Sequence, residues 1–351
     1  MRVLLVKMSS LGDVVHALPA VTDAAARGVT FDWVVEEAFA AIPGWHPAVR
    51  TVLPIAWRRW RRRLLQDRQP LAAFVRSLRA REYDLILDAQ GLVKSAVVTA
   101  LARAPLRAGF NFTAAREPVA AFAYRRRAAI PQGSHAVDRQ RALFAEVLGY
   151  PLPGSEPEFG LTLEPAGGVA RRCLLLHGTT WASKHWPQDM WHRLAADLAT
   201  DGWQVELPWG NEQERRRALA IASAVSPQPG ATEQGTVRVL EALSLAELGR
   251  RIAGAELVVG VDSGLAHLAG ALGVPTLVLY GSTSALRTGV RGARVQSLQS
   301  GLHCAPCLAR VCRYRGEPST WRGEPVFPPC YALLPPERVR EEAVRLLERR
   351  I

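Results

Sequence analysis

Long apolar runs are missing from this sequence of 351 residues, although 48% of the residues are hydrophobic. No stretch of about 18 or more apolar residues occurs, so we expect no membrane-spanning helix. The first apolar run is interrupted by Lys7, Ser9 and Asp13, too early for the core of a signal peptide. Five cysteines with uneven spacing favour a protein of the reducing cytoplasm over a disulfide framework.

Two common nucleotide-binding motifs are also missing. No G-x-G-x-x-G follows the first predicted strand, which argues against a dinucleotide-dependent dehydrogenase. No G-x-x-x-x-G-K-[ST] occurs, which excludes a P-loop enzyme. The stretch GVDSG resembles a nucleophile elbow, but Asp262 stands where that motif requires serine. Other loops must therefore carry the chemistry.

Lysine is scarce, because only Lys7, Lys94 and Lys184 accompany the arginines among 44 basic residues. A lysine retained under such a bias indicates a need for a compact point charge. Each of the three lies in a motif-like stretch: VKMSSLGD, DAQGLVKS or SKHWP. The net charge of +12 indicates an anionic partner, which is a nucleic acid, a membrane surface or a phosphorylated substrate.

Apolar runs of strand length alternate with helical patterns along the chain, which favours parallel α/β sheets. A stretch rich in Pro, Gly and Glu, 151–168, is the best candidate for a linker between two domains. Predicted strands span 2–7, 31–36, 84–90, 173–178, 203–209, 255–262 and 275–281, and predicted helices span 14–25, 71–82, 245–254, 263–273 and an amphipathic 337–350.

Several of the predicted strands end in loops with polar side chains. Ligands of open α/β sheets bind beyond the carboxyl ends of strands, so we expect these loops to line a cleft between the domains. SSLGD follows the first strand, and HGTT, LPWG, VDSG and YGST follow strands of the second half.

The VDSGLAHLAG loop has the features of a diphosphate site. Asp262, Ser263 and Gly264 end a strand and open a helix, whose N-terminus attracts anions. His267 follows on that helix. The competing interpretation is that Asp262 and Ser263 only cap the helix and that His267 only packs.

Two further loops fit a sugar-nucleotide donor. Thr179 and Thr180 place hydroxyls just past a strand, and Lys184 adds a point charge, which suits a pyrophosphate. Glu214 follows the next strand and has the chemistry to bind a ribose diol, or it is a plain carboxylate at a helix start.

The first half holds a run of five arginines and two tryptophans, WRRWRRR, at 57–63, and a second run, RRR, at 125–127. Such a run is often a solvated face. The two tryptophans argue against a solvated face, since burying a tryptophan side chain is favourable and exposing it is not. Two functions remain for the run: it binds nucleic acid, or it faces the phosphates of a membrane with its tryptophans at the interface.

Eight stretches together resemble the ADP-heptose heptosyltransferase family, and within it the type I lipopolysaccharide heptosyltransferases. The resemblance runs in order over residues 1 to about 285. The stretches are VKMSSLGDVVHALPA, FDWVVEEAFAAIPGWHP, RRWRRR, DAQGLVKSA, TAAREP, KHWP, LPWG and VDSGLAHL.

The resemblance implies an α/β fold of GT-B type, with two Rossmann-like doubly wound domains facing a cleft. It implies an acceptor domain at 1–160, a donor domain at 169–333, and a helix at 334–351 that packs back on the first domain. The implied reaction moves L-glycero-D-manno-heptose, with inversion, from ADP-heptose to a Kdo residue of Kdo2-lipid A. No cofactor and no nucleic acid are required. The implied location is cytoplasmic, peripheral on the anionic inner face of the inner membrane.

Site residues are implied by the same motifs. Asp13 becomes the general base, although it also fits a simple N-cap of the first helix. The implied donor residues are Thr179, Thr180, Lys184, Glu214, Asp262, Ser263, Gly264 and His267. The implied acceptor residues are Lys7, Ser10, Arg58, Arg59, Arg61, Arg62 and Arg116.

Other interpretations stay open at this point. One is a family member that adds the second heptose, another is a GT-B sugar-nucleotide epimerase, and a third is a nucleic-acid-binding protein. The resemblance also thins after residue 285, where four cysteines have the spacing C-x2-C-x4-C-x17-C and are candidate zinc ligands. They are Cys304, Cys307, Cys312 and Cys330.

Overall fold

The computed structural model describes residues 1–63, 66–167, 170–223 and 235–349. The chain divides into two compact units, Met1–Thr162 and Leu163–Ile351, so the division falls inside the predicted linker. Residue 168 of that linker, residue 169 of the predicted donor domain and residues 350 and 351 of the C-terminal helix lie outside the described residues.

The first unit is built around six strands. They are β1 (Arg2–Val6), β2 (Thr30–Glu36), β3 (Val49–Ile55), β4 (Leu85–Asp88), β5 (Arg107–Phe110) and β6 (Arg126–Ala128). Its α-helices are α1 (Leu11–Ala25), α2 (Ala41–Gly44), α3 (Trp57–Trp60), α4 (Arg68–Arg79), α5 (Val93–Leu101) and α6 (Ala136–Leu148), with short 3-10 helices at Glu37–Phe39 and Pro118–Ala123.

All strand pairs of this sheet are parallel, in the order β3-β2-β1-β4-β5-β6. The strand order reverses between β1 and β4, so the loops after these two strands lie at the topological switch point, where such sheets bind ligands. β1 and β4 are almost wholly buried, as expected for central parallel strands.

The second unit repeats this design. Its main strands are β7 (Arg172–Leu176), β8 (Gln204–Leu207), β9 (Thr236–Val239), β10 (Leu257–Val261), β11 (Thr276–Tyr280) and β12 (Val295–Gln299), and β13 (Thr320–Trp321) and β14 (Glu324–Pro325) form an antiparallel pair. Its α-helices are α7 (Gln188–Thr200), α8 (Glu212–Ala222), α9 (Leu245–Ala253), α10 (Gly264–Ala271), α11 (Ala285–Thr288) and α12 (Pro336–Glu348), with 3-10 helices at Ala182–Lys184 and Pro329–Leu333.

The second sheet has the order β12-β11-β10-β7-β8-β9, again with parallel pairs throughout, and its switch point lies between β7 and β10. The two sheets confirm the predicted pair of doubly wound α/β domains. Strands β3, β5, β6, β9 and β12 were not predicted. Four of them are edge strands, which bury less surface and so lack a continuous apolar run.

The C-terminal helix α12 corrects one prediction. Its apolar residues Val339, Ala343 and Leu346 are buried in the core of the second unit, where α12 packs against α7, β10 and β11. The helix therefore belongs to the second unit, and the prediction that its apolar stripe packs on the first domain is wrong. Among the described residues, none of the helices has both the length and the apolar character to cross a bilayer.

Candidate active site

Asp13 lies in the first turn of α1, directly after the buried strand β1. The backbone N–H and the hydroxyl of Ser10, the N-cap residue, both donate to Asp13 Oδ2, at 2.8 and 3.0 Å. The prediction that Asp13 is the N-cap is therefore wrong in position, because Ser10 is the N-cap and Asp13 is the third residue of the helix, whose carboxylate completes a capping box. Because both bonds end on one carboxylate oxygen, capping does not exclude a second role for Asp13.

Neighbouring charges keep Asp13 ionised. Burial acts to raise its pKa, but the Lys7 ammonium, His16 and the bonds from Ser10 together hold the pKa below the usual 3.8. Lys7 is only 5% exposed and donates to the carbonyl oxygen of Ala89 at 2.9 Å. Burial lowers the pKa of Lys7, and Asp13 acts against that effect. The charge of Lys7 thus acts on Asp13, and its contact with an acceptor stays a prediction.

The loop after β4 and the start of α5 hold in place the segment 7–13, which runs from the end of β1 into the first turn of α1 and which we call the Asp13 loop, and Gln90 and Lys94 were not predicted as part of the site. Gln90 Oε1 accepts from the backbone N–H groups of Met8 and Ser9, at 2.7 and 3.1 Å. Lys94 Nζ donates to Ser9 Oγ at 2.6 Å. Because β1 and β4 are neighbours, these contacts lie at the switch point of the sheet. The scarcity of lysine was the signal in the sequence that pointed to Lys94.

The WRRWRRR stretch forms the short helix α3 and the turn after it. Trp60 is only 5% exposed, and its ring packs 5.6 Å from that of Phe74 in the core of the first unit. The prediction that its tryptophans meet a membrane interface or nucleic acid is therefore wrong for Trp60. The predicted acceptor residues here are all exposed: Arg58, Arg59, Arg61 and Arg62.

These arginines belong to the same electrostatic neighbourhood as the Asp13 loop. Burial is the main cause that lowers the pKa of Lys94, and the charges of Arg58 and Arg61 lower it further, while Glu36 and Asp13 act in the opposite direction. Exposed Arg116 likewise lowers the pKa of Lys7. Arg58, Arg61 and Arg116 are thus close enough to Lys94 or Lys7 to act on their pKa values, and the contact of the predicted acceptor residues with an acceptor stays a prediction.

In the second unit, Asp262 at the end of β10 is the centre of a charged cluster. Lys184 Nζ lies 2.7 Å from Asp262 Oδ2, and His267 Nε2 lies 3.5 Å from Oδ1. Burial acts to raise the pKa of Asp262, but the bond from His267 and the charge of Lys184 hold it well below its usual value. Lys184 also lies 4.8 Å from the centre of the Trp181 ring, a cation–π contact. Asp262 and His267 therefore do more than cap and pack, because they contact each other and Asp262 also contacts Lys184, and ligand binding by this cluster stays a prediction.

The predicted hydroxyl groups lie around this cluster. Thr179 Oγ1 donates to the backbone oxygen of Asp262 at 3.2 Å, which joins the loops after β7 and β10 at the switch point. Ser263 is the N-cap of α10, and Gly264 is the first residue of that helix. Thr180 is exposed. The N-terminus of α10 thus lies next to the ammonium of Lys184, an arrangement suited to a diphosphate.

Glu214 lies in the first turn of α8, where Asn211 Oδ1 accepts from its backbone N–H at 3.0 Å. Its carboxylate accepts from the N–H of Gly210 at 2.8 Å. A Cβ at Gly178 would lie 2.8 Å from the Glu214 carboxyl carbon, so glycine in HGTT permits this close approach. The carboxylate therefore lies against the loop that carries Thr179, and ribose binding stays a prediction.

All four predicted zinc ligands line one small cavity of about 20 Å³ in the second unit. Burial is the main cause that raises the pKa of the Cys330 thiol to about 12, and the other three thiols contribute to the same rise. Within the described ranges, however, no group of three or more His, Cys, Asp or Glu side chains is arranged to hold a metal ion. The thiols converge as predicted, but their arrangement does not support the zinc site.

Known proteins match this chain closely. The profile of Glycosyltransferase family 9 (heptosyltransferase) matches residues 71–317. A lipopolysaccharide heptosyltransferase 1 from Pseudomonas aeruginosa is 45% identical over 360 residues, with 99% of this chain and 98% of that protein covered. The chain belongs to glycosyltransferase family 9.

Solved structures of heptosyltransferases share the fold. The Escherichia coli heptosyltransferase WaaC with ADP-2-deoxy-2-fluoro heptose is 41% identical, with a TM-score of 0.74 over 86% of this chain and 93% of that one. The E. coli ADP-heptose LPS heptosyltransferase II is 21% identical, with a TM-score of 0.72 over 99% of each chain. The predicted GT-B type fold of this family 9 chain is confirmed.

Proposed function

We propose that this family 9 glycosyltransferase moves L-glycero-D-manno-heptose from ADP-heptose to Kdo of Kdo2-lipid A, with inversion. Two observations support the proposal. Curated relatives at 44–45% identity are named lipopolysaccharide heptosyltransferase 1. One related structure, the WaaC complex, holds an ADP-heptose analogue. The observation that carries the proposal is the Lys184–Asp262–His267 cluster beside the N-terminus of α10.

The second unit supplies the donor site in this proposal. Lys184 and the N-terminus of α10 bind the diphosphate, whose negative charge grows as it leaves. Asp262 holds the Lys184 ammonium at 2.7 Å and thereby orients it. Glu214 binds the ribose, and Thr179, Thr180, Ser263 and Gly264 surround the phosphates. A diphosphate met by these groups needs no metal cofactor.

The first unit supplies the acceptor site. Ser10, the arginines of 58–62 and Arg116 bind the Kdo carboxylate and the lipid A phosphates. Lys94 joins them, because its ammonium bonds Ser9 beside the Asp13 loop. The buried ammonium of Lys7 adds a positive charge to this site. Anionic acceptor groups also account for the net charge of +12 without a nucleic acid.

Asp13 is the general base. An acceptor hydroxyl oxygen forms a bond to the anomeric carbon while the bond from that carbon to the diphosphate oxygen breaks, and ADP leaves with the electron pair. The hydroxyl proton passes to Asp13, which is ionised because the Lys7 charge lowers its pKa against burial. Attack from the side opposite the leaving group inverts the anomeric centre. The acceptor lipid implies a peripheral position on the inner face of the inner membrane.

Product analysis tests this proposal. The purified protein is incubated with ADP-heptose and Kdo2-lipid A, and the products are examined by mass spectrometry and by NMR of the new glycosidic bond. We expect one heptose on Kdo with inverted configuration, and ADP in equal amount. Transfer only to an acceptor that already carries one heptose would instead assign the second-heptose reaction. Epimerised sugar nucleotide without transfer would overturn the proposal.

A further inference from the structure

The first unit exposes a concentrated group of apolar side chains. Among its described residues, seven large apolar side chains are exposed, and five of them lie on α5 or in the segment 112–122. Phe122 is 74% exposed and Val119 is 62% exposed. We call these five the apolar patch: Val93, Val97, Phe112, Val119 and Phe122.

The apolar patch stands on a packed framework. Beneath it, Ala120 and Ala121 of the 3-10 helix pack against Ala96 of α5. The rings of Phe112 and Phe122 meet edge to face with their centres 5.0 Å apart. The exposure of these side chains is therefore built into the fold and is not the result of a frayed chain end.

Arg127 borders the apolar patch, and Arg125 and Arg126 precede Arg127 in the chain, where Arg126 donates to the Glu146 carbonyl oxygen of α6 at 2.8 Å. The side chains of residues 125–127 are exposed, and the Arg127 guanidinium lies 5.0 Å from the centre of the Phe112 ring. Arg127 Nε also donates to the Ala121 carbonyl oxygen at 2.9 Å, which ties the charge to the patch. Glu117 is the acidic residue here, and it accepts from the N–H of Val93 at 2.7 Å. An apolar centre with a cationic border complements an anionic lipid surface.

We propose that the apolar patch and the arginines 125–127 dock the enzyme on an anionic lipid bilayer. Phe122 and Val119 enter the boundary between headgroups and acyl chains, while the arginines meet lipid phosphates. The inference rests on the proposed function, since it says where the lipid acceptor is met. The Glu117–Val93 bond joins the patch to the start of α5, which carries Lys94 of the acceptor site.

A second copy of this chain would fit the apolar patch less well than a lipid bilayer does. In a symmetric dimer formed through this patch, the arginines of both copies would lie near one another, and like charges at an interface oppose association. A bilayer with phosphate groups has no such conflict. The arginine border therefore favours lipid over self-association.

Vesicle flotation with the full chain tests the proposal. The vesicles contain phosphatidylcholine alone or an equimolar mixture with phosphatidylglycerol. Val119→Ser with Phe122→Ser should weaken binding to mixed vesicles about tenfold or more, because two apolar side chains no longer enter the boundary. Arg125→Gln with Arg127→Gln should weaken it about fivefold per charge, with little effect on neutral vesicles. The matched controls, Leu286→Ser for the first pair and Arg313→Gln with Arg315→Gln for the second, should bind as wild type, since these exposed residues lie in the second unit.

Transfer assays separate this proposal from the proposed function. With a Kdo acceptor stripped of its acyl chains, the patch variants should keep the wild-type kcat, and with acceptor in vesicles their rate should fall. Unchanged vesicle binding in the Val119/Phe122 variant would overturn the docking surface. So would a change of oligomeric state in that variant by sedimentation. If the wild type transfers no heptose to either acceptor, the proposed function fails, whatever the vesicles show.

Discussion

At the scale of single residues, each unit keeps a buried or partly buried carboxylate ionised by a lysine. Lys184 contacts Asp262 directly at 2.7 Å, whereas Lys7 acts on Asp13 through its charge. The Lys184–Asp262 pair and the Lys7–Asp13 pair have different roles in the proposed mechanism. Asp262 is engaged by both Lys184 and His267 and orients the lysine, while the hydrogen bonds from Ser10 to Asp13 both end on Oδ2. In the proposed mechanism, Asp13 is therefore the base.

Replacement of the base gives the sharpest test at this scale. Asp13→Asn keeps the size of the side chain, and its amide oxygen can still accept from the N–H and hydroxyl of Ser10, but the amide cannot take up the proton of the acceptor hydroxyl. We expect kcat to fall at least about 100-fold. Thermal unfolding and ADP affinity should stay near those of the wild type. A kcat within about threefold of wild type, measured where chemistry limits turnover, would leave Asp13 as a cap alone.

The pH profile of transfer follows from the same residue. The pKa of Asp13 is lowered below 3.8, so the base loses its charge only as the pH falls through that lowered value. Single-turnover rates should therefore show no decline from Asp13 between about pH 7 and 5. In Lys7→Met, burial raises the pKa of Asp13 without the opposing charge of Lys7. The loss of rate at acid pH should therefore begin at a higher pH. Loss of rate at the same pH as in the wild type would show that Lys7 does not set the charge of Asp13.

Lys184 is the corresponding test in the donor site. Lys184→Ala removes the point charge from the diphosphate, and we expect ADP to bind about 10 to 100 times more weakly by calorimetry. Lys184→Arg should also lose activity, because the bulkier guanidinium does not fit between Asp262 and Trp181 as the ammonium does. Lys94→Ala is the matched control and should leave ADP affinity unchanged. Equal ADP affinity in all four proteins would remove Lys184 from the donor site.

At the scale of elements, the short helix α3 shows how one sequence run serves two surfaces. Trp60 packs on Phe74 in the core, and this anchors the turn. The neighbouring arginines then project from a fixed backbone, although the Arg59 guanidinium also forms an ion pair with the Glu37 carboxylate at 3.4 Å. The tryptophan thus positions the arginines and does not itself meet a ligand.

Charge reversal on this element tests the acceptor site. Arg59→Glu, Arg61→Glu and Arg62→Glu together should raise the acceptor KM, and the effect should grow at low salt because screening is weaker. Donor KM should stay unchanged. Reversal of Arg313 and Arg315, exposed in the second unit, is the control and should leave acceptor KM unchanged. An acceptor KM that does not respond to the triple reversal would make the run a solvated face.

At the scale of the whole molecule, both units have the same strand order, although we propose that one binds the acceptor and the other binds the donor. In both units the lysines of the proposed site, together with Asp13 and Asp262, lie in the segment that follows a central strand, either in the loop or in the first turn of the next helix; these strands are β1 and β4 in the first unit and β7 and β10 in the second. Central parallel strands are buried on both faces, so their ends are the places where polar groups can emerge beside a rigid core.

Metal removal is the test at this scale. In the proposed mechanism Lys184 and the N-terminus of α10 bind the diphosphate without a metal ion, so kcat should be unchanged after treatment with a chelator. Zinc at the cysteine cluster stays a prediction, which elemental analysis of chelator-free protein checks. Four thiolates would hold about one equivalent, and less than about a tenth would end the idea. Loss of transfer on chelation, restored by one metal, would contradict the proposed metal-free mechanism.

The sequence by itself determined the two doubly wound domains, because buried central strands such as β1 and β10 read as continuous apolar runs. It also pointed to the loops that follow them, because their polar and glycine residues interrupt those runs. The edge strands escaped prediction. β9, with exposed Thr236 and Arg238, buries too little surface to leave an apolar signature.

Only the tertiary structure decided which side chains meet. Lys184 and Asp262 are far apart in the chain, and their 2.7 Å contact depends on the pairing of β7 with β10. The same holds for Lys94 and Ser9 across β1 and β4. Burial of α12 within the second unit also lay beyond the sequence. An apolar stripe shows that a helix must be covered, but it does not say by which surface, since the hydrophobic effect has no direction.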